Sequence, residues 1–211
     1  MREKPQDSAI ERISKFVAGI VEARDPELGE HHHRLGEGTA LFAQHIGCSA
    51  EEAEMLSIGA RIHDIGKLSI SEHVLNKPGR LTASEFSLVK QHAEIGAQLL
   101  APLGLDSRIS EIVYHHHENY DGSGYPHGLA EKAIPPLARI VRIWDSFDAL
   151  TTDRPYHRGV ASEEALRLMQ QESHLYDPIL LESFCKMISN HPKSNREVET
   201  GPAVLRDSLH D

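Results

Sequence analysis

His63-Asp64-Ile65-Gly66-Lys67 sets an imidazole, a carboxylate and an amine within five residues, where a helical pattern runs into a glycine. Imidazole and carboxylate are metal ligands by chemistry, and a lysine one turn on suits an anionic substrate. Alone, such a pair is as readily a helix end with satisfied polar contacts, so other stretches must supply the remaining donors. Several do. Glu27 and His31 are four apart, on one face of a helix. His92 stands in another helical pattern, and His116 and His117 close a further one. Asp145 lies among Ile140, Val141, Ile143 and Phe147, where a carboxylate is costly to bury unless a cation meets it. Arg139 and Arg142 compete for that role, and a backbone carbonyl is the ordinary partner for His92 taken singly. Nitrogen and carboxylate donors projecting from separate helices are how bundles hold metals, and this set is rich enough for two or three divalent ions. No sulfur takes part, which leaves iron, manganese, zinc, nickel and cobalt open. Adjacent helix positions point differently. His63 and Asp64 therefore serve one centre by flanking it, with the carboxylate bridging two ions.

The elements that must position these groups read as helix after helix. Ser8 to Glu22 carries Ile10, Ile13, Phe16, Val17, Ile20 and Val21 at helical spacing, and Asp25-Pro26 breaks it. A second helix runs from about Gly29 to His45. Capping boxes at Ser49-Ala50-Glu51-Glu52 and Thr82-Ala83-Ser84-Glu85 open a helix ending at Gly66 and one reaching about Leu100. Ser107 to about His117 is helical, Asp121 to Gly128 is a polar loop, and Pro135-Pro136 starts a helix to about Leu150. Ser162 and Asp177-Pro178 open the last two. The expected fold is all-α, a compact helical bundle over 1–190, with an N-terminal helix in 1–24 and a frayed polar tail over 191–211.

Bulk numbers bound the function. At 211 residues, with 39% hydrophobic and 26% charged, one ordinary soluble domain is expected. No apolar run approaches the ~20 residues of a membrane span, and Met1-Arg2-Glu3-Lys4-Pro5 leads into no signal core. Two separated cysteines, Cys48 and Cys185, suit the cytoplasm. A net charge of -10 argues against nucleic-acid polymers and membrane surfaces as partners. It allows a small anionic substrate where the site is locally positive. The 15 histidines are the compositional outlier.

Taken in order, these motifs resemble a known family. His63-Asp64-Ile65-Gly66-Lys67 and His116-His117-Glu118-Asn119-Tyr120-Asp121-Gly122-Ser123-Gly124-Tyr125-Pro126 are similar to the HD-GYP domain, a branch of the HD phosphohydrolase superfamily. The similarity continues through Lys77-Pro78-Gly79-Arg80-Leu81-Thr82, Ala138-Arg139-Ile140 and the run from Asp145 to Tyr156. It implies a cytoplasmic enzyme of bacterial signalling that hydrolyses cyclic di-GMP to linear pGpG, with the onward step to GMP taken by many members of the family and left open for this chain. By motif position, His31, His63, Asp64, His92, His116, His117 and Asp145 fall on the family's metal ligands. Glu27 falls where trinuclear members carry a glutamate. Iron or manganese are the family's usual metals.

Phosphodiester chemistry assigns the remaining roles. A metal pair with a bridging hydroxide supplies the nucleophile, Asp64 bridges, and Lys67 meets the phosphate or protonates the leaving oxygen. Arg154 is suited to bidentate phosphate contact. Gly122 and Gly124 let backbone approach a ligand, with Tyr125 bonding phosphate or stacking on guanine; a plain turn with a packed tyrosine fits the same residues equally well. His157 stands where the family usually has Arg or Lys, a departure that bears on substrate affinity. His32 and His33 are expected to face away from the centre, and Trp144 to be core. Two other readings compete: a cyclic dinucleotide-binding or scaffold module that docks a diguanylate cyclase, and a phosphohydrolase of another nucleotide. A separate sensor or receiver protein is a candidate partner. So is a second copy of the chain, through the apolar first helix.

Overall fold

The computed structural model describes residues 9–153 and 158–190. Its regular elements are helical, with an isolated bridge between Asp121 and Ala130. In chain order they are α1 (Ala9–Arg24), α2 (Pro26–His45), α3 (Ala50–Ile62), α4 (Glu72–Leu75), α5 (Ala83–Leu100), α6 (Ser107–His115), α7 (Pro136–Thr151), α8 (Ser162–Gln171) and α9 (Pro178–Asn190), with short 3-10 turns such as Ile65–Ser69 between them. The expected all-α bundle is what the chain adopts.

Local chemistry sets the helix starts. Ser49 and Thr82 close capping boxes with Glu52 and Glu85, satisfying backbone donors that otherwise lack partners. Asp25-Pro26, expected to separate two helices by a break, instead starts the second one. The Asp25 side chain accepts from the Leu28 amide, and Pro26 occupies the first turn, where its missing N–H costs nothing. The second helix thus begins before Gly29, and Glu27 sits in its first turn.

Packing holds these pieces together. α6 has only 9 residues and would be marginal in isolation. Its Ile109, Ile112 and Val113 are fully buried in the core that α6 shares with α3, α5 and α7. Each such side chain contributes ~1.5–3 kcal/mol relative to exposure. Phe42, Phe147, Trp144 and Phe184 meet edge to face, and Trp144, partly buried, packs against the core as expected. α2 packs along α3, α7 and α1, while α5 packs on Ile65–Ser69 and α6. The result brings the ends of α3 and α6 to the same place as the middles of α5 and α7.

Two ends differ from expectation, with one consequence. α3 stops at Ile62 and α6 at His115, so His63-Asp64 and His116-His117 both lie just past a helix. His63 and His116 keep helical backbone angles, so each pair is brought together by the directions of its side chains at the helix end and not by a break in the backbone. His63 Nε2 comes within 3.3 Å of Asp64 Oδ2, and the rings of His116 and His117 lie 4.0 Å apart.

Candidate metal centre

Three imidazoles are oriented by their own helices. His63 Nδ1 lies 2.8 Å from Ala60 O, His92 Nδ1 2.7 Å from Val89 O, and His116 Nδ1 2.9 Å from Val113 O. A carbonyl only accepts, so each Nδ1 donates and each Nε2 lone pair is directed inward. The Nε2 atoms of His92 and His116 then stand 3.2 Å apart, facing each other. Two lone pairs at that distance repel unless a cation lies between or beside them. Burial and the neighbouring imidazoles push the pKa values of His116 and His117 well below the usual histidine range, which keeps both in the neutral, ligating form.

Asp64 divides its two oxygens between two such groups. Oδ1 is 3.2 Å from His92 Nε2 and 3.8 Å from His116 Nε2; Oδ2 is 3.3 Å from His63 Nε2 and 2.8 Å from Lys67 Nζ. Donor atoms of Asp64, His92, His116 and His117 lie within 4.8 Å of one another, as do those of His31, His63 and Asp64. Burial alone would raise the Asp64 pKa, yet His63 and Lys67 outweigh it and hold the carboxyl well below its usual range. The same balance holds Asp145 down, chiefly through His31, whose Nε2 is 3.4 Å from Asp145 Oδ1. The arginines that competed for Asp145 are engaged elsewhere: Arg139 with Asp177, and Arg142 with Asn119. Two nitrogen-rich groups sharing one ionised carboxylate fit a pair of N/O-ligated divalent ions.

Asp148, which drew no notice in the sequence, orients His31. Its Oδ2 lies 2.7 Å from His31 Nδ1, and it takes a bidentate contact from Arg34 at 2.7 and 2.9 Å. Burial works against protonation of His31, but Asp145 and Asp148 raise its pKa to about 9. An ion binding there displaces that proton. The available sign was spacing: Asp148 is three residues after Asp145, on the same helix face.

His32 corrects an expectation. Rather than facing away, it is 1% exposed, packed 5.0 Å from the His63 ring, with Nε2 3.8 Å from Asp64 Oδ2. That is too long for a hydrogen bond, and neither ring nitrogen has a partner. Burial lowers its pKa to about 4. His33 does face out, pairing with Glu37. The helical wheel separates residues 31 and 32 by 100°, but both directions are enclosed here, one by α7 and the other by the end of α3. Glu27 goes the other way. It is exposed and outside both donor groups, although it lines a cavity of about 360 Å³ together with Arg24, Asp25, Asp64 and Lys67.

The Gly-Tyr-Pro loop folds back on the residues that end α6. Tyr125 N donates to His117 O, and its ring stacks on His117 at 4.7 Å. A Cβ on Gly124 would lie 2.3 Å from Asn119 N and 2.5 Å from His117 O. The close approach at Gly124 is therefore to the chain's own backbone. Gly122 has φ +83, the left-handed region that favours glycine. Arg154 and His157, expected phosphate contacts, lie outside the described residues, as do 1–8 and the tail 191–211.

Comparison with known proteins agrees with this geometry. The HD domain profile matches residues 15–180, and the chain belongs to the HD domain family. Its Gly-Tyr-Pro loop places it in the HD-GYP branch. It is 41% identical over 167 residues to the cyclic di-GMP phosphodiesterase response regulator RpfG of Xanthomonas campestris, an alignment covering 77% of this chain and 44% of that protein. It is 40% identical over 183 residues to a cyclic di-GMP phosphodiesterase of Thermotoga maritima, covering 83% and 48%. The chain thus spans about half the length of these curated relatives. The solved structure of Bd1817, an HDG"Y"P protein from Bdellovibrio bacteriovorus, superposes with a TM-score of 0.65 at 23% identity, covering 85% of this chain and 62% of that one, and shares its fold.

Proposed function

We propose that this chain is a metal-dependent phosphodiesterase that hydrolyses cyclic di-GMP to pGpG and then GMP. One observation carries the reading: Asp64 stands between two histidine groups, with Lys67 beside it at the cavity wall. His31, His63, Asp64 and Asp145 would hold one ion, and Asp64, His92, His116 and His117 the other. Iron or manganese suit the N/O donor set. When bound, such ions polarise the phosphate and lower the pKa of water. The side chains do the rest. Lys67, 28% exposed at its side chain, is placed to meet a nonbridging phosphate oxygen or to protonate the departing ribose oxygen. Tyr125, on the rim, offers a ring face to a guanine. Gly122, Arg154 and His157 complete the assigned substrate contacts, while Gly124 shapes the loop against its own backbone. The protein is assigned to the cytoplasm, in keeping with two free cysteines.

The direct test is incubation of the metal-loaded protein with cyclic di-GMP, followed by chromatography for pGpG and GMP. The mixed guanine–adenine cyclic dinucleotide runs in parallel to read base preference. Binding without hydrolysis would replace the reading with a sensing or scaffold role. Lys67→Ala is expected to lower turnover by ~10²-fold with metal content unchanged by mass spectrometry. Parallel loss of metal would mean that Lys67 serves only to hold Asp64.

His32, outside both donor groups but packed on His63 and 3.8 Å from Asp64, supports the centre from behind its ligands. His32→Ala is expected to weaken metal retention against a chelator by ~10–100-fold, the range seen when residues supporting a metal site are removed, whereas Glu27→Ala changes it less. Equal retention by His32→Ala and the parent protein would show that His32 does not support the centre.

A further inference from the structure

The base of the Gly-Tyr-Pro loop gathers a second set of donors that the proposed reaction does not use. We propose that His115, Glu118 and His127 form a separate site for one transition-metal ion of the zinc class, tying the loop to the end of α6. One donor atom from each residue lies within 4.8 Å of the others. His115 Nδ1 is 3.8 Å from Glu118 Oε1, close to the ~3.4 Å that separates nitrogen and oxygen donors around a tetrahedral zinc with bonds of ~2.0–2.2 Å.

The donors are held ready by their surroundings. Glu118 is 1% exposed, and its oxygens accept from the backbone amides of His127, at 2.8 Å, and Leu129, at 3.0 Å. Each carboxylate oxygen keeps a further lone pair. The Nδ1 atom of His115 is buried with no hydrogen-bond partner, a state that costs about 1–3 kcal/mol unless something meets it. The Tyr114 ring packs against both imidazoles, 4.9 Å from His115 and 5.1 Å from His127. His127 is exposed, so an ion reaches the site from solvent. Two nitrogens and one oxygen select zinc, cobalt or nickel over the oxygen-preferring magnesium and calcium.

The site is distinct from the catalytic centre. His116 and His117 turn inward to the Asp64 group, and none of His115, Glu118 and His127 belongs to either group there. The two are mechanically linked all the same. Glu118 holds the backbone of the segment that presents Tyr125, whose ring stacks on His117. An ion bridging His115 and His127 would stiffen the loop at the mouth of the centre.

The test uses the full chain loaded with manganese, desalted, equilibrated with zinc, and desalted again before elemental analysis. The parent protein is expected to retain one more zinc per chain than His127→Ala, with equal manganese in both. Zinc is expected to raise the Tm of the parent by several degrees and leave that of His127→Ala unmoved. His127 is a surface side chain, so its removal leaves the fold intact; His115→Ala provides a second loss of the same zinc. Equal zinc retention by the parent and His127→Ala overturns the proposal, as does zinc gained only by displacing manganese. Manganese content reports the catalytic centre and the zinc difference reports this site, so the failure of either is read separately.

Discussion

Asp64→Ala is expected to lose both bound ions together and to lower turnover by at least about 10³-fold, since a divalent ion at a phosphoryl centre is worth several kcal/mol of transition-state stabilisation. Among the described residues no other side chain serves both donor groups: Oδ1 faces His92 and His116, while Oδ2 faces His63 and Lys67. Removing the carboxylate leaves five imidazoles converging on one space with Asp145 the remaining acid among the proposed inner ligands. Mutual repulsion among them works against any bound cation staying bridged. Elemental analysis and product chromatography on the same preparation check the result. An Asp64→Ala protein with its metal and activity intact would end the metallophosphodiesterase reading.

Gly66→Ala is expected to destabilise the chain by about 3 kcal/mol, the upper part of the range for forcing an added carbon into a packed site. The added Cβ would lie 1.9 Å from His92 O and 2.7 Å from Gly96 N. Both are backbone atoms of α5, so no rotamer change relieves the clash; the turn and the helix must separate. For a chain of this size that corresponds to a fall in Tm of ~6–12 °C. Gly66 lies between Asp64 and Lys67 and presses on the residue that carries His92, so the separation would also widen the distance from Asp64 to His92, now 3.2 Å. Loss of metal affinity is expected alongside the lower Tm. A melting temperature within about 2 °C of the parent would show that α5 shifts freely and that this contact does not set the geometry of the centre.

Much of the fold was legible because its determinants are local. Capping boxes at Ser49 and Thr82, Pro136 in a first turn and apolar spacing at 3.6 residues mark helices through chemistry between near neighbours. The misplacement at Asp25-Pro26 is of the same local kind, since a proline that ends one helix also suits the start of the next.

The donor types were legible too, because His63, Asp64, His92, His116, His117 and Asp145 differ in kind from the apolar residues around them. Their convergence was not. His32 and Glu27 illustrate why. Both stand next to or one turn from His31, and their helical positions are known from sequence. Yet which direction is enclosed depends on where α3 and α7 lie against α2, contacts made between residues far apart in the chain. Asp148 follows the same rule, since its partner His31 is 117 residues away and is chosen by packing.

The sequence by itself determined the helical class, the chemistry of the donors and the motif order that marks the family, all consequences of residue type and short-range spacing. Only the tertiary structure decided that Asp64 faces two groups with opposite oxygens, that the residues just past α3 and α6 meet in one space, and that His32 rather than Glu27 is enclosed. The physical reason is that a metal centre is built from directions and distances between separate helices. Those are set by how the buried faces of α2, α3, α5, α6 and α7 close on one another.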